Sequence, residues 1–314
     1  MDLLLVLTPG AYTTVQDNRR YGYQQVGIPL SGALDSFSFD VANMLVNNPA
    51  NSAVLEITIT GCRFEVLNEA DAAITGAEIG ITLNERPVEC WRSFRIKPGD
   101  ILEIKQVKSG CRAYLALTGG IDVPIVMGSR STYVGGNIGG YLGRPLKQGD
   151  IIKRGEGLTL KRMRKLSPAM IPQYSSNIVL HAVLGPQDEF FDEGLKILFN
   201  SEFMVTPKAD RMGYRLQGPA IHHRDSVQKS IISEPSVPGG IQIPADGQPI
   251  ILLMEQTVGG YAKIATVIST DLCKIAQATP GDMFRFEQVN LEKSHELFHE
   301  RQKLMKEIEE KHIV

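Results

Sequence analysis

Apolar and polar residues alternate along several short segments, as they do in strands with one buried face. Clear examples are residues 54–59, 101–104 and 283–286. Turns that end in Gly-Asp, at Asp100, Asp150 and Asp282, each precede such a segment, and glycine supplies the positive φ that these turns need. With 30 glycines and 17 prolines, the chain is predicted to be a turn-rich, mainly β protein.

Helical periodicity, with apolar residues three or four positions apart, is confined to a few segments. The predicted helices are 36–46, 190–199, 269–277 and a C-terminal helix that begins at residue 291. Strands outnumber them, so we expect β barrels with helices at their edges.

Two glycine-rich blocks repeat the same order of motifs. Gly-Gly-Ile-x-Val/Ile-Pro begins at Gly119 and again at Gly239, and a Gly-Gly-Tyr triplet follows each at the same offset, ending at Tyr141 and Tyr261. Two ordered matches favour two related modules. The blocks 119–150 and 239–282 are therefore predicted to form equivalent strand-turn-strand units.

These patterns divide the chain into four predicted regions. They are a first β-barrel module at 1–155, a connector at 156–177, a second β-barrel module at 178–290 and a C-terminal helix at 291–314. Basic residues are frequent where the connector begins, and such a run could hold an anion. We expect it to be a solvated linker.

Composition excludes several classes of protein. The 33 basic and 35 acidic side chains give the 314 residues a net charge of −2, which would not attract a nucleic-acid backbone. The apolar run at residues 3–7 is too short for a signal peptide, and no run is long enough for a membrane helix. The four cysteines lack Cys-x-x-Cys spacing. We expect a cytoplasmic protein with no nucleic-acid or membrane partner.

His295-Glu-Leu-Phe-His299 has the His-Glu-x-x-His pattern of zinc proteases. On a helical wheel, both histidines lie opposite an apolar stripe, and no third ligand is evident. We therefore expect them to face solvent and to bind no metal. Phosphate-loop, nucleophile-elbow and dinucleotide-binding motifs are absent, so any chemistry must use Arg, Asp, Glu, Gln and backbone amides.

Such residues cluster in glycine-rich polar segments. They are 13–22 and 27–35, which form one long polar loop ahead of the first helix, and 128–132 and 139–144. Hydroxyls, guanidinium groups and exposed amides suit a carboxylate or phosphoryl oxygen. Alternatively, the glycines shape barrel corners and the arginines pair with Asp17 or Asp35. Spacing alone does not decide between an anion-binding cleft and a structural role.

Motifs spread along residues 5–288 resemble the family of the 5-oxoprolinase C subunit, also described as biotin-dependent carboxyltransferase or allophanate hydrolase subunit 2-like. The matching segments are Thr-Thr-Val-Gln-Asp at 13–17, Ser-Gly-Ala-Leu-Asp at 31–35, Gly-Ser-Arg-Ser-Thr at 128–132, Gly-Pro-Gln at 185–187, Asp-Arg-Met-Gly-Tyr-Arg-Leu at 210–216, Gly-Ile-Gln-Ile-Pro at 240–244 and Gln-Thr-Val-Gly-Gly-Tyr at 256–261.

The resemblance implies two cyclophilin-like β barrels and a subunit of an ATP-dependent 5-oxoprolinase, which opens 5-oxo-L-proline to L-glutamate. It implies two partner subunits, one B-like and one A-like with a lactamase-like fold, with ATP bound by this chain or by a partner. Relatives also suggest two alternatives. One is carboxyl transfer from a biotin carrier to urea or a similar amide, although biotin would not be attached to this chain, which has no Met-Lys-Met site. The other is a non-catalytic binding protein, like an antagonist of a sporulation-kinase inhibitor.

The candidate site residues have three kinds of role. Proton transfer is assigned to Asp17, Asp35 and Glu255. Anion binding and oxyanion stabilisation are assigned to Arg20, Arg130, Arg144, Gly139, Gly140, Gly259 and Gly260. Further substrate contacts are assigned to Gln16, Ser31, Ser129, Ser131, Gln242, Gln256, Thr257 and Tyr261.

The chain departs from the family pattern at two positions. Arg19 stands where relatives usually have glycine, so the loop backbone there is expected to differ. Met254 stands where relatives often have an aspartate, with Glu255 beside it. If that carboxylate acts in the family, Glu255 must replace it.

Overall fold

The computed structural model describes residues 1–314, and the chain divides into two compact units. Unit 1 comprises residues 1–21, 31–174 and 305–314, and unit 2 comprises residues 22–30 and 175–304. The predicted modules fall one in each unit, except that residues 22–30 belong to unit 2. Most of the predicted connector belongs to unit 1.

Unit 1 is built on a curled nine-stranded sheet that does not close. Its strands are β1 (Asp2–Thr8), β2 (Tyr12–Gln16), β3 (Val54–Thr58), β4 (Arg63–Val66), β5 (Ala70–Leu83), β6 (Arg86–Val88), β7 (Ser93–Ile96), β8 (Ile101–Leu117) and β9 (Ile151–Lys153). The main path runs β2-β3-β8-β4-β1-β9, and β5 pairs with β6, β7 and β8. Apolar side chains that alternate along these strands form one buried core, and helix α1 (Ser36–Leu45) packs against β5 and β8.

Unit 2 contains a closed seven-stranded barrel. In chain order its strands are β10 (Asn177–Leu184), β11 (Glu202–Ala209), β12 (Gly213–Gln217), β14 (Gly240–Gln242), β15 (Ile250–Leu252), β17 (Lys263–Val267) and β18 (Met283–Gln288). Around the barrel they pair in the order β10-β17-β14-β15-β12-β11-β18. Parallel pairing of β10 with β18 closes the barrel. A separate two-stranded ribbon consists of β13 (Glu234–Pro235) and β16 (Val258–Gly259). The predicted mainly β fold is confirmed, although only this second barrel is closed.

Helices form where the periodicity predicts them. They are α1, α2 (Asp192–Asn200), α3 (Leu272–Gln277) and α4 (Leu291–Glu307), which a π-helical turn follows at 308–312. His295 and His299 are exposed, as the helical wheel predicts. The apolar stripe opposite these histidines includes Phe298 and Ile308. It is buried only at its end, because Ile308 is inaccessible whereas Phe298 is 42% exposed. None of the helices has both the length and the hydropathy of a membrane span.

The Gly-Asp turns begin strands as predicted, and they share one geometry. Asp100, Asp150 and Asp282 each accept a hydrogen bond, 2.7 Å long, from the backbone N–H three residues earlier. Gly99 and Gly149 have φ of 86°, which only glycine adopts readily. The carboxylate therefore closes each turn immediately before β8, β9 or β18.

The prediction that the two glycine-rich blocks form equivalent units is wrong. Residues 119–150 contain no strand, whereas residues 239–282 contain β14 to β17 and α3. Gly119 and Gly239 share a positive φ, of 88° and 94°, but Gly120 has φ of 68° and Gly240 lies in a strand. Gly139 and Gly140 also have positive φ, whereas Gly259 and Gly260 do not. The matching sequence therefore does not mark a repeated module.

The predicted solvated connector is also corrected. Ser93 N–H donates to Arg164 O at 2.8 Å, and Leu166 N–H donates to Trp91 O at 2.9 Å. The Leu166 side chain is 2% exposed. Residues 164–166 are therefore held against unit 1 by backbone hydrogen bonds and by the buried Leu166, whereas Leu158 earlier in the connector is 92% exposed.

Candidate functional site

A carboxylate at the end of β2 organises one loop of unit 1. Asp17 is buried, and its Oδ1 accepts hydrogen bonds from Ser129 Oγ at 2.6 Å and Ser131 Oγ at 2.5 Å. Its Oδ2 accepts one from the Arg130 backbone N–H at 2.5 Å. Charge-assisted bonds of this kind are stronger than neutral ones. Asp17 therefore fixes the whole Gly-Ser-Arg-Ser-Thr segment against the strand end.

The two serines complete this network. The Asp17 backbone N–H donates to Ser131 Oγ, and the Ser131 N–H donates to Ser129 Oγ, both at 2.9 Å. Each hydroxyl thus donates to the carboxylate and accepts from the backbone. Three hydrogen bonds thus hold the Asp17 carboxylate in place and organise the loop, and its assignment to proton transfer stays a prediction.

Arg20 lies beside this network and is fully buried. Its Nε donates to Val126 O at 3.1 Å and its Nη2 to Ser131 O at 2.7 Å, while Nη1 has no hydrogen-bond partner. Burial lowers the pKa of the Arg20 guanidinium, and the charge of Asp17 raises it. A buried donor without a partner is rare in proteins, so Nη1 suits an oxygen supplied by a ligand.

Close packing against the same loop requires glycine at positions 139 and 140. A Cβ on Gly139 would lie 2.2 Å from Ser131 O and 2.6 Å from Arg20 Nη2, and one on Gly140 would lie 1.8 Å from Thr132 Oγ1. Both residues have positive φ. The Gly140 N–H donates to Arg130 O at 3.1 Å, so this amide is occupied here and does not provide an oxyanion donor.

Gln16 joins the same network to the next loop. Its Oε1 accepts from Gly32 N–H at 3.0 Å, and its Nε2 donates to Thr14 Oγ1 at 2.9 Å. Ser31 is buried with φ of 53°, and its hydroxyl has no partner. The polar loop is shorter than predicted, because residues 12–16 form β2.

Asp35 has a structural task. Its carboxylate caps α1, accepting from Ser38 N–H at 3.1 Å and Ser38 Oγ at 2.6 Å. Its own N–H donates to Tyr114 Oη at 2.9 Å, and that hydroxyl donates to Glu56 Oε2 at 2.8 Å. Burial, with the charge of Glu56 as a further cause, raises the pKa of Tyr114 well above its usual value. Sequence alternation placed Glu56 on a polar face and so missed this buried pair.

The two other arginines of the predicted site differ in their surroundings. Arg144 forms a two-bond ion pair with Asp150, at 2.7 and 2.9 Å, and lies over the Tyr141 ring. Arg130 is half-buried, and its Nε donates to Val123 O at 3.2 Å. Arg144 is thus committed to a Gly-Asp turn, and its part in anion binding stays a prediction. Arg130 is placed with Asp17 and Arg20.

In unit 2, Glu255 pairs with a residue that the site prediction did not include. Arg211 Nε donates to Glu255 Oε1 at 2.6 Å, and both side chains are buried. Met254 is buried next to it. The carboxylate that could replace the family aspartate is therefore held in an ion pair.

A second group of polar residues lies at the β13/β16 ribbon. The buried Lys263 donates from Nζ to Glu234 Oε1 at 2.6 Å, and Gln187 Nε2 donates to the same oxygen at 3.0 Å. Gln242 is buried, and a Cβ on Gly259 would lie 2.1 Å from its Nε2. Lys263, Glu234 and Gln187 were missed, although Gln187 lies in the Gly-Pro-Gln motif and a lysine within an apolar strand is unusual.

The other predicted residues of unit 2 build this ribbon. Gln256 Nε2 donates to Val258 O, and Thr257 O accepts from Ser236 N–H at 2.9 Å. Gly260 O accepts from Ile231 N–H at 2.8 Å. Tyr261, next in sequence, is exposed. The structure therefore forms one cluster around Asp17 in unit 1 and another around Gln242 and Lys263 in unit 2.

Arg19 occupies the left-handed region, with φ of 77°, which costs an L-residue roughly 1–2 kcal/mol. The backbone at position 19 therefore has a conformation that suits glycine, although the residue there is arginine. We expect Arg19→Gly to raise stability by roughly 1 kcal/mol, measured by urea unfolding. Asn18→Gly, at a neighbour outside the positive-φ region, is the control and should not stabilise. Lower stability of Arg19→Gly would show that side-chain packing outweighs the backbone strain.

Comparisons with known proteins show the family of the chain. Residues 26–288 match the family model of the carboxyltransferase domain, subdomains A and B. The C subunit of 5-oxoprolinase from Escherichia coli (strain K12) is 36% identical over 98% of this chain and 97% of its own length. The urea amidolyase of Lachancea kluyveri is 33% identical over 93% of this chain, which covers only 17% of that protein.

A solved structure has the same fold. The crystal structure of Kluyveromyces lactis urea carboxylase superposes with a TM-score of 0.92 at 32% identity, over 99% of this chain and 30% of the other. The family model spans most of the chain, and the Escherichia coli relative matches it over nearly its full length. The chain therefore belongs to the carboxyltransferase domain family that includes the C subunit of 5-oxoprolinase and the corresponding region of urea carboxylase.

Proposed function

We propose that this chain is the C subunit of an ATP-dependent 5-oxoprolinase, which opens 5-oxo-L-proline to L-glutamate together with A-like and B-like partner proteins in the cytoplasm. The observation that carries the proposal is the 36% identity to the C subunit of Escherichia coli 5-oxoprolinase over 97% of that relative's length. In the urea amidolyase the matching region is only 17% of a much longer protein.

The reaction adds water across an unstrained lactam. Its carbonyl oxygen is a poor leaving group, and ATP would supply the phosphoryl group that makes it a better one. Water then attacks the carbonyl carbon, and the tetrahedral adduct collapses by cleavage of the ring C–N bond, whose nitrogen takes up a proton and leaves as the amine. A second water cleaves the resulting acyl phosphate, which releases phosphate and leaves the carboxylate of glutamate. A site for this chemistry needs cationic donors for the anionic oxygens and a fixed position for the amide.

Unit 1 offers such donors. The half-buried Arg130 lies in the loop that Asp17 fixes, and the unpartnered Arg20 Nη1 lies beside it. Guanidinium groups suit phosphoryl and carboxylate oxygens because they present paired N–H donors. We assign anion binding to Arg20 and Arg130, and assign Asp17 the positioning of the loop.

Carboxyl transfer to urea or a related amide is the second candidate. It is favoured by the TM-score of 0.92 to urea carboxylase over 99% of this chain. That activity would require a separate biotin carrier. A substrate comparison in the reconstituted complex separates the two reactions.

The test is to co-express the chain with its A-like and B-like partners and to measure glutamate release from 5-oxoproline with ATP. We expect Arg130→Lys to lower turnover by roughly tenfold or more at unchanged Tm, because lysine keeps the charge but loses the forked donors. Arg144→Lys is the matched control, and there Tm should fall first because lysine cannot keep both hydrogen bonds to Asp150.

Three results would contradict this proposal. Wild-type turnover in Arg130→Lys would remove that arginine from the mechanism. Carboxylation of urea from a biotin carrier, without cleavage of 5-oxoproline, would establish the second candidate. A complex without either activity, in which the chain only binds and inhibits another protein, would favour a non-catalytic role.

A further inference from the structure

A buried ammonium and a buried carboxamide lie on adjacent strands of the unit 2 barrel, beneath the β13/β16 ribbon. Lys263 on β17 and Gln242 on β14 are cross-strand partners, and both side chains are almost inaccessible. A register shift adjoins this pair, but both side chains reach one pair of facing ribbon residues, Lys263 through its hydrogen bond to Glu234 and Gln242 beside Gly259. Burying such groups is unfavourable unless they find partners.

Lys263 has one such partner, on the β13/β16 ribbon. Its Nζ donates to Glu234 Oε1 at 2.6 Å, and an ammonium has three N–H donors. The hydrogen bond from Lys263 lowers the pKa of Glu234, which keeps this carboxylate ionised. Gln187 holds the same oxygen at 3.0 Å and accepts from the Lys263 backbone N–H at 3.0 Å. The Lys263 ammonium is thus held in place by Glu234, and this bond uses only one of its three N–H donors.

Gln242 lacks the partner that its burial calls for. Its Nε2 is buried and makes no hydrogen bond, a state that costs about 1–3 kcal/mol. Only glycine at position 259 lets the ribbon approach this nitrogen, because a Cβ there would lie 2.1 Å from it. The ribbon therefore lies directly over a carboxamide with unused hydrogen-bonding capacity.

Another glutamine of unit 2 shows how a carboxamide is normally satisfied. Gln248 Oε1 accepts from Gly218 N–H at 2.9 Å, and its Nε2 donates to Gly218 O at 3.2 Å. A donor and an acceptor side by side thus pair with one N–H and one C=O. A lactam presents this edge, because its ring holds N–H and C=O on the same side, and urea presents it too.

We propose that Gln242 and Lys263, beneath the β13/β16 ribbon, form the subsite that recognises the cis-amide edge of the substrate. Gln242 pairs with its N–H and C=O, and the Lys263 ammonium contacts the carbonyl oxygen and polarises it. The Glu234–Lys263 ion pair holds the ribbon over the subsite, so the ribbon must lift for the amide to enter. This inference deepens the proposed function and rests on it for the identity of the substrate.

Binding to the full chain with its partner subunits tests the subsite, by calorimetry with 5-oxoproline, 2-pyrrolidinone and N-methyl-2-pyrrolidinone. The methyl group removes the N–H of the edge, so wild type should bind the methylated lactam at least tenfold more weakly than 2-pyrrolidinone. Gln242→Met keeps the side-chain length but not the polar groups. It should weaken binding of 2-pyrrolidinone tenfold or more, abolish this discrimination and leave Tm unchanged or higher, since an unpaired buried amide is removed.

Gln248→Met is the matched control, because it removes a carboxamide that is paired within the fold. It should lower Tm and leave the discrimination between lactams intact. A Gln242→Met variant that loses Tm but keeps the discrimination would overturn the proposal, as would a wild-type complex that binds neither lactam.

The outcomes also separate this inference from the proposed function. If the wild-type complex cleaves 5-oxoproline and Gln242→Met does so with unchanged KM, the subsite is wrong while the function stands. If the complex binds 2-pyrrolidinone and urea through Gln242 but never cleaves 5-oxoproline, the subsite stands and the function fails.

Discussion

Alanine at position 17 is expected to remove nearly all turnover and to destabilise unit 1 strongly. Asp17 accepts hydrogen bonds from Ser129 Oγ, Ser131 Oγ and the Arg130 N–H, and bonds to a charged group contribute about 1.5–3 kcal/mol each. Because such losses are not additive, we expect a total loss of at least about 3 kcal/mol. Turnover of the reconstituted complex should fall at least a hundredfold, since Arg130 loses its position.

Urea unfolding and ATP-coupled glutamate release, measured on the same preparations, check this result. Asp122→Ala is the control, because Asp122 is an exposed aspartate of the same unit. It should change neither quantity. Wild-type stability in Asp17→Ala would mean that the loop holds its shape without the carboxylate.

The second large effect is expected at the buried ion pair of unit 2. Glu255→Ala removes the carboxylate that Arg211 Nε contacts at 2.6 Å, and breaking a buried pair from one side costs about 3–5 kcal/mol. The double variant Arg211→Met with Glu255→Leu should recover most of that loss, because neither charge then remains buried. Thermal unfolding of these variants beside wild type, followed by circular dichroism, measures this.

These variants also decide between two roles for Glu255. If it transfers protons, Glu255→Gln loses activity at wild-type Tm. If it is structural, Tm falls first and the stable double variant keeps turnover. We expect the second pattern, because the structure commits this carboxylate to Arg211.

Local patterns predicted the elements of the fold well and their assembly less well. The segments 54–59, 101–104 and 283–286 lie in or overlap β3, β8 and β18, and the Gly-Asp turns begin strands. The spacing of apolar residues and the residue types in turns are local properties, so the strands and turns that they predict are present in the structure. Whether a sheet closes depends on pairing between distant strands, such as β10 with β18. The repeated Gly-Gly motif failed for the same reason, since a short sequence match fixes neither the backbone conformation of its glycines nor their strand pairing.

The site shows the same division. Residues in polar, glycine-rich segments were found, and Gln16, Asp17, Arg20 and Ser129 do lie together. Lys263 and Glu56 were not found, because each lies between apolar neighbours in a strand, and Glu234 was not found because Ser233 and Pro235 beside it form no recognisable motif. Their partners come from distant strands or from the ribbon, and no sequence spacing reveals such partners.

The parallel pairing of β10 with β18 also bears on how the protein folds during synthesis. β10 is the first strand of the unit 2 barrel in chain order and β18 is the last. Ribosomes add about 5–20 residues per second, so β10 exists for seconds before its parallel partner emerges. During that interval it has an unpaired edge, which is a template for aggregation. The non-local strand pairing of the barrel also favours slow folding. We therefore expect chaperones to bind the nascent barrel.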